Sequence, residues 1–320
     1  MDKICSGHPG WRVIGVDPKF QEASLPENFL KINSIIEDVD AKEFQSWFIP
    51  VGLQKHVHVE FIVTNDDGNR DNYACDPKLG LYNNARFESL VKRIAGARFD
   101  QNGTQCDRSD DRNVSVHVSY IGGSWTRFDS RKNLVVDDSS SVKEGGGFNP
   151  YEIAKTSAET NARKVSAKHA IALTFYDYIS IVPNFAPNFS VNRMVTSGLE
   201  QNVIKLSPCD FGRPLLHTFQ AGEFVADLID AQIKSHCSTL VDNNGKLYET
   251  VLVPGDFISF ETFAKIAREV IEHSCDDRSI TFEEYQRTPN ELRTRCISSR
   301  GFVSDPSLAE KGLKEAAMLP

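Results

Sequence analysis

The spacing of hydrophobic positions changes along this chain, and the period indicates the element. Residues 55–63 (KHVHVEFIV) alternate apolar and polar, as a strand with one buried face does. Val114–Ile121 alternates in the same way, and Gly122–Gly123 turns it into Ser124–Phe128. Residues 18–49 predict helix instead. Ser24 and Glu27 make a capping box around Pro26, and Phe29, Ile32, Ile35 and Ile36 recur at helical intervals. A second helical piece over Ala41–Phe48 stops at Pro50. Phe87, Leu90, Val91 and Ile94 share one side of a helix over 84–97.

Farther on, Asn149-Pro150-Tyr151-Glu152 supplies an N-cap, a first-turn proline and a carboxylate at the positive end of the helix dipole. That helix is predicted to run to about Ala170. Ile171–Val182 turns to β-branched and aromatic residues, which predicts a strand broken at Pro183–Pro187. Residues 220–236 read as a helix with Phe224, Leu228 and Ile229 on its apolar face. Ser238–Val253 predicts a hairpin around Asn243-Asn244-Gly245, and Ser259–His273 an amphipathic helix. Thr281 with Glu284, and Thr288-Pro289 with Glu291, predict two short helices. Asp305-Pro306 opens a last, charged helix that frays.

The alternating strands and the hairpin predict an α+β fold with mixed, mainly antiparallel sheets and packed helices. Asp137–Gly147 (DDSSSVKEGGG) is the expected boundary, giving an N-terminal α+β domain over 1–137, a Ser/Gly-rich linker over 138–148 and a C-terminal α+β domain over 149–320. A hydrophobic content of 40%, with 10% aromatic residues, is enough for a real core and excludes global disorder. No apolar run reaches the length of a membrane span, and the start MDKICSGHPGW lacks the apolar core of a secretory signal. Seven cysteines, an odd number with no CxxC pair, read as reduced thiols in a reducing compartment, so the expected location is cytoplasmic. In that setting the sequons at Asn102, Asn113 and Asn188 are chance matches.

Candidate chemistry is sparse. His56, His58 and Glu60 fall on one face of a strand, where they can ligate a divalent metal or form a solvent-facing polar stripe; no further ligand is marked, so no metal is assigned. His117-Val118-Ser119 lies in the second alternating strand. Two facing His-x-Ser/Thr units resemble the two-histidine phosphoesterases, in which one imidazole is general base and the other general acid. Here Glu60 stands where one hydroxyl is required. Lys143–Gly147 lacks the ending of a P-loop, while Asp66–Asn69 and Asp242–Gly245 lack the last glutamate of a calcium loop; these read as linker and turns. No cofactor is expected.

Charge changes the picture. The formal net charge is −8, yet residues 84–98, 155–168 and 287–300 each sum to +3 and residues 127–132 to +2. Arginines beside aromatic residues suit single-stranded RNA, whose bases stack on rings while guanidinium groups hold phosphates. The expected RNA contacts are Arg86, Lys92, Arg93, Arg98, Arg127, Arg131, Lys132, Arg293 and Arg295, with stacking on Trp125 and Phe128. The opposing reading makes these arginines ordinary ion-pair partners of the abundant Asp and Glu.

With the tracts Arg86–Arg98, Trp125–Lys132 and Arg287–Arg300, a length of 320 residues and a mass near 36 kDa, the chain resembles the small nonstructural RNA-binding protein of cypoviruses, insect dsRNA viruses that make polyhedra. The resemblance implies a non-catalytic, self-associating viral protein of the host cytoplasm that binds single- or double-stranded RNA in replication or genome packaging, beside viral replication or capsid proteins. It carries over no catalytic residue. The alternatives are a capsid or assembly protein making protein–protein contacts and a two-histidine phosphoesterase.

Overall fold

A computed structural model describes residues 13–16, 29–32, 34, 36–48, 56–64, 73, 75–97, 113–123, 135–136, 150–178, 181–185, 189–206, 212–236, 247–253, 255–275, 279–284, 295–296 and 305–318. In chain order the elements are β1 (Val13–Val16), β2 (Phe29–Ile32), α1 (Ala41–Ser46), β3 (His56–Thr64), α2 (Leu79–Ala97), β4 (Asn113–Gly123), β5 (Val135–Val136) and α3 (Pro150–His169). They continue with β6 (Ala172–Tyr178), β7 (Ile181–Val182), α4 (Ser190–Gln201), β8 (Val203–Leu206), β9 (Gly212–His217), α5 (Thr218–His236), β10 (Tyr248–Leu252) and β11 (Asp256–Ser259). The last are α6 (Phe260–Ser274), β12 (Thr281–Glu284), β13 (Arg295–Cys296) and α7 (Pro306–Ala317). Among the described residues no helix is long and apolar enough to cross a membrane.

The chain forms two compact units, each assembled from separate stretches. The first comprises residues 1–122, 146–176 and 225–250. Its main sheet has the order β10-β6-β4-β3, and β1 pairs with β2 beside it in sequence as a two-stranded parallel sheet. β3 and β4 run parallel in register from His56↔Asn113 to Thr64↔Ile121, with α2 in the connection between them, which is a βαβ unit. One face of this sheet presents Val116, Val118, Tyr120, Leu173 and Phe175. These pack with Phe87, Leu90, Val91 and Ile94 of α2 and with Ala158, Ala162 and Val165 of α3, so the predicted apolar side of 84–97 is the buried one. Gly80 brings α2 onto α3: a Cβ there would lie 2.7 Å from the Ala154 Cβ.

The second unit, residues 123–145, 177–224 and 251–320, contains the sheets β11-β9-β7, β12-β8 and β13-β5. Its core gathers Val191, Val195, Ile204, Leu215, Phe263, Ile271 and Leu313. α4 ends on Asn202 in the left-handed region (φ 55°), whose N–H returns to the Gly198 carbonyl.

The expectation of mainly antiparallel sheets is corrected. β1–β2, β3–β4, β5–β13, β7–β9 and β8–β12 are parallel, while β9–β11 is antiparallel. Polar alternation in β3 and β4 arises because the second face of the sheet carries a buried polar network, so the alternation does not mark a solvated face. Phe29–Ile32 is a strand and not helix: its apolar residues fit either period, and pairing with Val13–Val16 decides. Thr281–Glu284 is likewise a strand, paired with β8 and seating Phe282 against the core. The terminal helix does not fray. Asp305 caps it through the Ser307 N–H (2.9 Å), and Ala309, Leu313, Ala316 and Ala317 are buried. The capping box at Ser24, the linker at 138–148, the turn Asn243–Gly245 and the helix start at Thr288 lie outside the described residues.

Candidate active site

The first unit holds two polar clusters. On the face of the sheet opposite α2, Glu60 of β3 stands across from His117 of β4, its register partner. His117 Nδ1 donates to Glu60 at 2.8 and 3.0 Å, and His58 Nε2 donates at 3.1 Å from the same strand. The Thr174 hydroxyl of β6 bonds to His117 Nε2 at 3.0 Å, which closes a chain across three strands. Burial alone raises the Glu60 pKa, but the charge and hydrogen bond of His117, with help from His58, outweigh it and hold the carboxyl at about 2. Two imidazoles are thus bound to one carboxylate. They do not face each other across a groove, and the phosphoesterase arrangement is absent. The His56 side chain lies outside the described residues.

The second cluster lies where α3 begins. Tyr151 is in its first turn and Lys155 four residues later, hence on one face of the helix. Lys155 is 6% exposed, far below what a lysine of a solvated basic tract would show. Its ammonium sits 5.4 Å from the Tyr151 ring centroid and 5.8 Å from that of Tyr73, both within cation–π range. Tyr73 and Tyr151 meet edge to face, centroids 5.4 Å apart at 81°. Glu159, one turn beyond Lys155 and also buried, accepts from the Thr250 hydroxyl at 3.2 Å.

The residues expected to hold RNA do other work where they are described. Arg86 pairs with Glu37 at 2.9 Å, and this guanidinium holds the Glu37 carboxyl below its ordinary value. Arg93 donates to the carbonyls of Ile36, Glu37 and Val39 and lies 4.4 Å from the Phe44 ring centroid. Lys92 and Lys168 both pair with Glu88, at 3.1 and 3.2 Å. These cations bind residues 36–44 to α2 and tie α2 to α3. Arg98, Trp125, Arg127, Phe128, Arg131, Lys132 and Arg293 lie outside the described residues, as does the Arg295 side chain.

Tyr151 and Lys155 were legible in the sequence as a hydroxyl-bearing ring and an amine one turn apart at a helix start. Sequence reasoning absorbed the first into the cap and the second into a basic tract. Tyr73 had no signal, since it falls in a polar loop.

No family model matches the chain, and no curated protein matches it. Solved structures do. MoeE5 in complex with UDP-glucuronic acid and NAD superposes with a TM-score of 0.60 at 13% identity, covering 98% of this chain and 94% of that one. A Tyr→Phe variant of UDP-glucuronic acid 4-epimerase from Bacillus cereus, in complex with UDP-4-deoxy-4-fluoro-glucuronic acid and NAD, gives 0.63 at 12% identity, covering 98% and 93%. DesIV, a dTDP-glucose 4,6-dehydratase from Streptomyces venezuelae with NAD and TYD bound, gives 0.63 at 14%, covering 99% and 90%. The chain therefore has the parallel, Rossmann-type α/β fold of these nucleotide-sugar epimerases and dehydratases. This likeness overturns the expectation of a viral, non-catalytic RNA-binding protein related to the cypovirus family, and with it the capsid and phosphoesterase alternatives and the RNA partner.

Proposed function

We propose that this chain binds a nucleotide sugar and exchanges a proton with one of its hydroxyls through Tyr151, assisted by Lys155. The observation that carries the reading is the buried Lys155 ammonium against the Tyr151 ring, in a fold whose similar structures hold nucleotide sugars. A fixed positive charge beside a phenol favours the phenolate, which suits the group to act as base toward a sugar hydroxyl and as acid on the return. The Tyr→Phe change made in the similar epimerase is in keeping with a tyrosine at the centre of such chemistry.

The similar structures also hold NAD. This chain's own residues do not fit that group. A dinucleotide site of this architecture needs Gly-x-Gly-x-x-Gly in the turn after its first strand, so that backbone N–H groups can approach the pyrophosphate. No such run occurs in the 320 residues, and residues 17–28, which join the first two described strands, contain no glycine. Gly122, next to Gly123 at the end of β4, has the Phe175 ring where its Cβ would stand, so that close approach is already taken. Among the described residues, Tyr151 and Lys155 are the groups assigned to the proton transfer.

Calorimetry with UDP-glucose, UDP-glucuronic acid and dTDP-glucose tests the substrate class, and NMR of the exchange of the bound sugar's hydroxyl protons with water tests the proton transfer. Tyr151→Phe should keep binding within about threefold and lower the catalysed exchange by about 10²–10⁴. Failure of all three nucleotides to bind, or undiminished exchange by Tyr151→Phe, would remove the proposal.

A further inference from the structure

Tyr73 belongs to neither helix of the site, yet it is the most enclosed of its three groups, at 1% exposure. Two contacts fix its ring, and the close approach of two helices leaves no room beside it. Its edge-to-face meeting with Tyr151 sets the angle. Asn83 of α2 offers its amide N–H to the Tyr73 hydroxyl at 3.5 Å. Gly80 lets α2 and α3 approach, and a Cβ at that position would come within 3.8 Å of Tyr73 Cε1. A ring placed this firmly can restrict a lysine, whose four-carbon stem otherwise rotates freely and carries its charge into water.

We propose that Tyr73 is a positioning residue for the Tyr151–Lys155 pair: its ring is the second aromatic wall that holds the Lys155 ammonium beside Tyr151. This rests on the acid–base reading of Tyr151 given above. Other titratable side chains on α3 near the pair are Glu152 and Glu159, and neither supplies a wall: Glu152 is in the first turn, and Glu159 is engaged with Thr250. The role calls for a π face rather than a hydroxyl, and that separates it from simple hydrogen bonding. An electron-rich ring attracts the ammonium through its quadrupole, and withdrawing electron density weakens that attraction without changing the ring's shape appreciably.

The experiment replaces Tyr73 by Phe and then by a series of progressively fluorinated phenylalanines at the same position. For each protein the ionisation midpoint of Tyr151 is read from the near-ultraviolet difference spectrum against the corresponding protein that also carries Tyr151→Phe. Tyr73→Phe should leave the midpoint within about 0.3 pH unit of the parent, and fluorination should raise it stepwise by about one unit in total. Near-ultraviolet circular dichroism checks that each protein keeps the parent's packing. A flat midpoint across the fluorinated series, or a full shift already at Tyr73→Phe, overturns the proposal while leaving the acid–base reading intact. A parent Tyr151 that titrates like a free phenol overturns the reading and this role together.

Discussion

Replacing Glu60 by Gln removes the charge at the centre of the His58–Glu60–His117–Thr174 chain while keeping the shape of the side chain. The folded protein holds this carboxyl at about 2 against an ordinary 4.5, a displacement worth about 3 kcal/mol. A folded pKa below the unfolded one means the stabilisation is complete above the unfolded value and is lost as pH falls through the folded one. From neutrality down to about pH 3.5, the parent should lose roughly 1.4 kcal/mol through this group, and the variant none of it. At neutral pH the variant forfeits the stabilisation carried by the displaced carboxyl, about 3 kcal/mol. For a unit of this size that is a fall in melting temperature on the order of 8 °C. Urea unfolding followed by circular dichroism at several pH values measures both quantities. A variant within about 0.5 kcal/mol of the parent at neutral pH, with an unchanged acid slope, would show that the carboxylate is not held as the geometry implies.

Gly80→Val should destabilise the first unit by about 1–3 kcal/mol, because its Cβ alone would press on the Ala154 Cβ at 2.7 Å; adding Ala154→Gly should recover part of the loss in thermal unfolding. Arg93→Met, which strips the carbonyls of Ile36, Glu37 and Val39 of their donor, should lower stability by about 2 kcal/mol and speed protease cleavage near residues 36–48. In the second unit, burial holds the His217 imidazole below its ordinary 6.5, against the pull of Glu315 3.9 Å away and with a lesser push from Lys311. The unfolded chain then takes up the proton first, so stability should decline as pH falls through 6.5, and His217→Gln should flatten that slope in melting curves recorded at successive pH values.

Element types were legible wherever one face of a segment is apolar and the other polar, whether that polar face is solvated or buried. The helix containing Phe87, Leu90, Val91 and Ile94 and the strand Val114–Ile121 came through for that reason. Strand direction did not, since period-two alternation records faces alone. His58, Glu60 and His117 imitated a solvent-facing stripe although their side chains are only 14%, 10% and 9% exposed. Charge misled for a related physical reason. Net tract charge says nothing about partners distant in sequence, and Glu37 is 49 residues from Arg86. Lys155 shows the same limit: its burial depends on rings from residues 73 and 151, and no local window contains both. The short strands β8, β9 and β11 went unpredicted because each presents too few periodic positions to stand out before neighbouring strands are in place, whereas helix α4 carried a legible helical period in Val191, Met194, Val195 and Leu199 and was passed over.

The interleaving of the two units bears on synthesis. Strand β10 flanks β6 in the main sheet, so the ribosome has released all of the second unit's middle stretch, residues 177–224, before Tyr248 can dock. Nascent chains arrested short of that point carry a sheet with one edge uncovered, including the backbone N–H of Leu173 that later bonds to the Leu247 carbonyl at 2.8 Å. Chaperone capture of such intermediates should therefore be strongest before residue 247 emerges and should drop once it has.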